Sequence, residues 1–147
     1  NLQFVGAFDV LEHIPEDTLV LENLFHSIRK GGGIILTVPQ HPSLWSQADE
    51  IAHHIRRYTK KDLVQKVKAA GFTIEQVHSF VSFLVPLMWL SRKRKSSAME
   101  KNPMREFQLP GLLNKTLGGI MKVERLLTKM GLNFPIGGSL LLVAKKT

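Results

Sequence analysis

The sequence predicts an α/β fold with a parallel sheet, and three observations support this class. Leu2 to Phe8 is a short apolar segment typical of a buried strand, and Gly33 to Val38 is a second, fully apolar and rich in β-branched residues. Between them, apolar spacing predicts a helix from about Glu16 to Arg29, followed by a glycine turn at Gly31 to Gly33. A strand as uniformly apolar as the second one indicates a sheet that is covered on both faces, as parallel sheets are.

The rest of the chain supplies further elements of the same kinds. Thr59 is the predicted N-cap of a helix over Lys60 to Ala70, and Gly71 is its C-terminal stop. Phe72 to Val77 alternates as a strand, and Ser139 to Lys145 is an apolar strand that would end the sheet.

Composition places the chain among ordinary globular domains. Its 147 residues are enough for one core, and it contains no cysteine. The absence of cysteine excludes disulfides and thiolate zinc sites and fits a reducing compartment, so the expected location is the cytoplasm. The net charge of +8 indicates either an anionic neighbour or simply a soluble surface. The longest apolar run, Phe80 to Leu90, is shorter than the ~20 residues that cross a bilayer.

A cluster of ionisable side chains follows the first predicted strand directly. Asp9, Glu12 and His13 stand at i, i+3 and i+4, so a helical turn would point all three the same way. Ligand sites in open α/β sheets lie at such strand ends. Two carboxylates with one imidazole suit Mg²⁺, Mn²⁺ or Zn²⁺, whereas His13 alone, with an intrinsic pKa of about 6.5, suits a general base. Glu12 and His13 are the predicted catalytic residues, and the metal site stays an alternative to a metal-free role.

Three segments of the chain resemble the class I S-adenosylmethionine-dependent methyltransferases. They are Ala7 to Ile14, which resembles the motif after strand four; Leu24 to Pro39, which resembles a helix, glycine turn and fifth strand; and His41 to Thr59, which resembles a substrate-side loop. Together they span about residues 4 to 80. The acid-x-x-Glu-His pattern is similar to that of ubiquinone-pathway O-methyltransferases, which are associated with Mg²⁺, although Asp9 stands where they have Glu.

The resemblance carries expectations about fold and chemistry. It implies the C-terminal part of a Rossmann-like class I sheet, strands four to seven, with S-adenosylmethionine as cofactor. Phe8 and Asp9 would line the cofactor, and its methyl group would pass directly to an oxygen, nitrogen or carbon nucleophile of a small molecule. The glycine-rich cofactor loop and the acid ending strand two of the family have no counterpart here. We therefore expect a fragment that is inactive in isolation, with a noncatalytic methyltransferase-like binding module as the alternative. A dinucleotide or nucleotide-sugar Rossmann protein is a remote third hypothesis.

The loop after the fifth strand is a candidate substrate lid. The predicted substrate residues of this loop are His41, Trp45, His54, Arg57 and Tyr58. Arg57 would bind an anionic group of the substrate, and the ring of Trp45 or Tyr58 would cover an apolar group. The alternative is an ordered surface loop in which Arg57 pairs with Asp49 or Glu50.

Compared with a minimal methyltransferase, residues 79–135 form an insertion before the last strand. It contains the apolar run, the basic run Arg92 to Lys95, a polar segment to Gln108, and a helix from about Leu112 to Met130. In that helix the apolar positions recur at helical spacing and the lysines lie on another face. The apolar positions are Leu113, Leu117, Ile120, Val123, Leu127 and Met130, and the lysines are Lys115, Lys122 and Lys129. A cap over the substrate, a membrane-surface element and an oligomer interface are all open, and specific nucleic-acid binding is not expected.

Overall fold

The structure, a computed structural model, describes residues 2–93 and 110–147. Its helices and strands, in chain order, are β1 (Leu2–Phe8), α1 (Asp17–Ser27), β2 (Ile28–Pro39), α2 (Gln47–Ile51), α3 (Lys60–Ala69), β3 (Thr73–Phe80), α4 (Val85–Lys93), α5 (Gly111–Lys129) and β4 (Ser139–Lys145). Single 3-10 turns occupy Leu11–His13 and Pro42–Leu44. The last two residues of the basic run, with the polar segment to Gln108, lie outside the described residues.

The four strands form one sheet in the order β1-β2-β4-β3. β1 and β2 are parallel, while β4 runs antiparallel to both of its neighbours. Because β1 and β2 are parallel, their carboxyl ends meet at one edge of the sheet. The chain after each strand therefore arrives at the same place, and this positions the site.

The main core lies against one face of β2 and β4. Ile34, Leu36 and Val38 alternate inward along β2, and Leu63 and Val67 of α3 belong to the same buried cluster. Residues on the other face of β2 are half-buried. The prediction that this strand is covered on both faces is thus met fully on one face and in part on the other.

The predicted glycine turn is wrong, because the glycines lie inside β2. β1 pairs with β2 at Leu2–Ile28 and next at Phe4–Gly33, so the intervening residues of β2 form a bulge. A Cβ at Gly32 would lie within 2.2 Å of the Gln3 carbonyl oxygen. Glycine is required there for close approach of two backbones, and α1 accordingly ends at Ser27 rather than Arg29.

The prediction that β1 is buried is also wrong. Its apolar side chains Leu2, Phe4 and Phe8 are mostly exposed, since β1 is an edge strand with one neighbour in the described sheet. By contrast, α3 begins as predicted, with the Thr59 hydroxyl accepting the Asp62 N–H at 3.1 Å. It ends at Gly71, whose φ of +104° is the left-handed conformation that a helix stop requires.

The described part of the insertion contains the helices α4 and α5, and Val81 and Met88 lie beside Gly138 and Ser139 at the end of the sheet. Leu117, Ile120 and Leu127 of α5 are half-buried, but Leu113, Val123 and Met130 are exposed, so only half of the predicted apolar stripe packs. The buried face includes instead the Glu124 carboxylate, which accepts the Phe83 N–H at 2.9 Å. No helix within the described ranges is both long enough and apolar enough to span a bilayer.

Candidate active site

The site begins where the ends of β1 and β2 are tied together. The Asp9 N–H donates to the Thr37 carbonyl at 3.0 Å, and the Thr37 hydroxyl donates to the Asp9 carboxylate at 3.1 Å. Asp9 has a φ of +52°, a conformation that aspartate adopts more readily than most residues. This reversal ends the strand and starts the turn that carries Glu12 and His13.

Three ionisable side chains meet beside this turn. One ligand atom from each of Glu12, His13 and His54 lies within 4.8 Å of the others, so these residues could hold a metal ion. The two imidazole rings stand edge to face with centroids 4.8 Å apart, and His54 Nε2 lies 3.9 Å from Glu12 Oε1. Asp9, the predicted third ligand, is not in this group. Because its carboxylate binds Thr37 before the helical turn begins, the i, i+3, i+4 argument does not apply to it.

The loop that contributes His54 is held to the turn by its backbone. The Ile55 N–H donates to the Glu12 carbonyl at 2.8 Å, and the His53 carbonyl contacts His13 Nδ1 at 3.2 Å. His53 has a φ of +56°. Residues 40 and 43 positions apart in the chain are thereby brought together.

Asp49 is the polar anchor of the loop. Its buried carboxylate accepts from His54 Nδ1 at 2.9 Å and from Arg57 Nε at 2.8 Å, and it completes a capping box with Ser46 at the start of α2. Burial alone would raise the pKa of Asp49, but the hydrogen bonds from Arg57 and His54 outweigh it and lower the pKa. Asp49 is therefore a fixed negative charge next to the Nδ1 side of the His54 imidazole.

Glu12 is in the opposite electrostatic situation. Its side chain is fully buried and both carboxylate oxygens are without a hydrogen-bond partner in the described structure. Burial is the main reason that the pKa of Glu12 is raised, and the nearby Asp9 adds to the effect. His41 lies close by with a φ of +60°; burial first and the Arg57 charge second lower its pKa.

A pocket of about 260 Å³ opens at this edge of the sheet. Polar groups line one part of it and the insertion lines another; the lining residues are Asp9, Glu12, Pro39, His54, Arg57, Val81, Met88, Gly138 and Ser139. Val81 and Met88 place the start of α4 over the strand ends. Asp9, Glu12 and His54 thus share one cavity with an apolar wall, whereas His13 does not line it.

The predicted substrate residues do not all line the pocket. His54 and Arg57 line the pocket, but Arg57 is held by Asp49 and by the Gln40 carbonyl, which is the alternative arrangement considered for the loop. Trp45 is half-buried, with its Nε1 3.4 Å from Glu50. Tyr58 cannot act as a lid, because its ring is fully buried and its hydroxyl lies 2.7 Å from Asp17.

Phe8, predicted to line the cofactor, is 61% exposed at the end of β1. Its ring folds back over Gly6, where a Cβ would come within 2.8 Å of it. Val81 and Met88 of the pocket wall belong to the apolar run of the insertion, for which a cap over the substrate is one of the open hypotheses. Sequence reasoning missed the buried Asp17, which is signalled only by the basic and aromatic residues that bind it.

Comparison with known proteins identifies the family of the chain. A family model described as a methyltransferase domain matches residues 2–77, just over half of the chain. No curated protein matches the chain.

Solved structures share the fold at low sequence identity. Phosphoethanolamine N-methyltransferase 2 of Haemonchus contortus, in complex with S-adenosyl-L-methionine, aligns over 98% of this chain and 33% of its own, with 16% identity and a TM-score of 0.52. An S-adenosylmethionine-dependent methyltransferase of Archaeoglobus fulgidus aligns over 99% and 59%, with 17% identity and a TM-score of 0.54. The 4+2 cyclase SpnF aligns over 98% and 50%, with 18% identity and a TM-score of 0.51.

This chain spans between a third and about three fifths of the length of these three proteins. The predicted resemblance is confirmed at the level of family, and the predicted Rossmann-like α/β class is confirmed at the level of fold. The strand-end motif, the sheet and the matched region agree, and the chain belongs to the methyltransferase domain family.

Proposed function

We propose that this protein takes part in methyl transfer from S-adenosylmethionine to a small molecule with an apolar part. The observation that carries the proposal is the pocket at the carboxyl ends of β1 and β2, where Glu12 and His54 face an apolar wall of Val81 and Met88. In open α/β sheets such strand ends are where ligands bind. Membership of the methyltransferase domain family supports methyl transfer as the chemistry at this position.

The residues at the end of β1 fit one end of the cofactor. Phe8 offers an exposed aromatic face, and Asp9 offers a carboxylate beside it. Both are suitable neighbours for a positively charged sulfonium group. When bound, S-adenosylmethionine supplies an activated methyl group.

The chain's own residues would position the acceptor. Met88 and Val81 exclude water on one side. Glu12, which lines the pocket, and His13, which lies beside Glu12, are the groups that would take a proton from an acceptor hydroxyl. Because the methyl donor is intrinsically reactive, orientation and exclusion of water supply much of the rate. No triad is needed.

We further propose that these 147 residues alone bind the cofactor weakly and turn over slowly or not at all. β1 is exposed on its free edge, and the described residues supply only one side of a cofactor site. A noncatalytic module built on the same fold is the rival proposal. The fold alone does not decide the reaction, since SpnF, a cyclase, shares it.

Calorimetric titration of S-adenosylhomocysteine tests the proposal. It would be carried out on the complete natural polypeptide that contains this chain, with the 147-residue chain beside it. We expect Phe8→Ala to weaken binding at least tenfold, whereas Phe4→Ala, an exposed phenylalanine of the same strand, should leave it unchanged. Absence of binding to the complete polypeptide would favour the noncatalytic module.

We also propose that the outer face of the insertion contacts membrane surfaces from the cytoplasmic side. In α5 the exposed apolar residues lie beside a row of lysines, and Val81 and Met88 of the insertion line the pocket. Such an arrangement would give an apolar acceptor a short path from a bilayer into the pocket.

A further inference from the structure

Glu12, His13 and His54 form a cluster that is more specific than a set of neighbouring polar residues. Glu12 and His13 come from the 3-10 turn after β1, and His54 comes from the loop after α2. One ligand atom of each lies within 4.8 Å of the other two. Small side-chain movements would bring all three within bonding distance, about 2.0–2.2 Å, of one ion.

Both imidazoles are held in the tautomer that a metal ligand requires. The His13 Nδ1 contacts a carbonyl oxygen, that of His53, at 3.2 Å, and a carbonyl can only accept, so Nδ1 carries the proton. His54 Nδ1 lies 2.9 Å from the Asp49 carboxylate and is a donor for the same reason. In the neutral rings, Nε2 of each histidine is left with a free lone pair. Carboxylate or carbonyl acceptors behind a ligating histidine are the usual outer shell of metal sites.

The Glu12 carboxylate supplies a second, independent observation. It is fully buried, and neither oxygen has a hydrogen-bond partner in the described structure; the nearest opposing group is His54 Nε2 at 3.9 Å. An unpaired buried carboxylate is costly to keep. A cation between Glu12 and the two Nε2 atoms would satisfy it.

We propose that Glu12, His13 and His54 bind a divalent transition-metal ion, with Asp49 and the His53 carbonyl orienting the two histidines. Two imidazoles and one carboxylate suit Zn²⁺, Co²⁺, Mn²⁺ or Fe²⁺, whereas Mg²⁺ and Ca²⁺ prefer all-oxygen sites. Three protein ligands leave a coordination position open toward the pocket. Metal binding stands on the geometry alone, but its use rests on the proposed function: with the ion bound, Glu12 is a ligand, and the ion lowers the pKa of an acceptor hydroxyl in its place.

Titration with Co²⁺ and Zn²⁺ tests this site without any turnover. We expect one equivalent of Co²⁺ to give visible d–d absorption bands that Zn²⁺ removes, and Mg²⁺ to compete poorly. Glu12→Gln and His54→Gln should each weaken Zn²⁺ affinity at least tenfold, with unchanged far-UV circular dichroism. His26→Gln, an exposed histidine of α1, is the matched control and should bind as the unsubstituted chain does.

Three results would overturn the proposal: no stoichiometric binding, equal affinity in Glu12→Gln, His54→Gln and the unsubstituted chain, or loss of affinity in the His26→Gln control as large as in His54→Gln. The outcome is separable from that of the proposed function. Zn²⁺ binding without S-adenosylhomocysteine binding by the complete polypeptide would support the metal site and contradict methyl transfer. S-adenosylhomocysteine binding without Zn²⁺ binding would support methyl transfer and contradict the metal site.

Discussion

Asp17 is the side chain on which the site loop is fixed. Its buried Oδ2 atom accepts from Lys66 Nζ at 2.6 Å and Arg56 Nη1 at 2.9 Å, and the Tyr58 hydroxyl lies 2.7 Å away. These partners come from the site loop and from α3, while Asp17 itself opens α1. One carboxylate therefore joins two helices to the loop that carries His54.

Replacement of this carboxylate should be strongly destabilising. Asp17→Asn keeps the shape and one acceptor oxygen but removes the negative charge that Lys66 and Arg56 share, so we expect a loss of about 3 kcal/mol in the free energy of unfolding. Urea denaturation followed by circular dichroism measures it. Glu75→Gln is the control, because the Glu75–Lys145 ion pair is exposed and should contribute less than about 1 kcal/mol. Equal losses in the free energy of unfolding of the two variants would contradict the conclusion that Asp17 fixes the loop that carries His54.

The same carboxylate should give the folded state a specific acid sensitivity. Burial alone would raise the pKa of Asp17, but hydrogen bonds from Lys66 and Tyr58 and the charges of Lys66 and Arg56 lower it from 3.8. A carboxyl whose pKa is lower in the folded state stabilises fully above its unfolded pKa, and this contribution is lost as pH falls through the folded pKa. The loss should therefore set in below about pH 4 and be absent from the Asp17→Asn variant.

At the residue scale, the sequence identified the chemical groups but not their partners. Glu12 and His13 follow an apolar segment directly, so local pattern was enough to place them at a strand end. The meeting of His54 with them depends on a loop with positive φ at His41 and His53, and no periodicity encodes such a path. The sequence likewise does not predict that the Asp9 carboxylate binds Thr37, because Thr37 belongs to the neighbouring strand β2.

At the scale of elements, prediction succeeded where a local rule has a strong physical cause. The α3 helix begins at its cap and ends at Gly71 as expected, and β4 has the predicted bounds. It failed where packing decides. An apolar segment such as β1 looks buried in the sequence, but its exposure depends on its place at the edge of the sheet. The glycines of β2 likewise signal a turn or a bulge equally well, and only the pairing with β1 distinguishes the two.

Two glycines of similar appearance should respond in opposite ways to alanine. Gly71 has a φ of +104°, and an added Cβ would lie 2.9 Å from the Phe25 ring, so Gly71→Ala should cost at least about 1 kcal/mol. Gly118 lies inside α5, and apart from the backbone of its own helix no atom of the described residues comes within 4 Å of an added Cβ, so Gly118→Ala should stabilise by about 0.5–1 kcal/mol. Thermal denaturation of both variants is the measurement. A shift of both midpoints in one direction would contradict the helix stop, the α5 helix or both.

At the scale of the whole molecule, the insertion has two different faces. On its inner side, Val81 and Met88 line the pocket. Its outer face carries exposed apolar residues on one strip of α5, namely Leu112, Val123, Leu126 and Met130, of which Leu112 is 80% and Met130 72% exposed. Lys115, Lys122 and Lys129 form an exposed row beside this strip. Apolar side chains next to cations are the pattern of a helix that lies in the surface of an anionic bilayer.

Sedimentation with lipid vesicles tests this use of the outer face. We expect the chain to bind vesicles that contain phosphatidylglycerol more strongly than pure phosphatidylcholine, and to lose part of that binding in high salt, because the lysine contribution is screened. The double variant Leu126→Glu, Met130→Glu should lose most of the binding while keeping its fold, since both side chains are exposed. Leu19→Glu replaces a leucine of α1 that is 53% exposed, against 59% for Leu126, and should bind as before. Undiminished binding by the double variant would mean that the exposed strip of α5 serves another partner, and that an apolar acceptor reaches the pocket from solution.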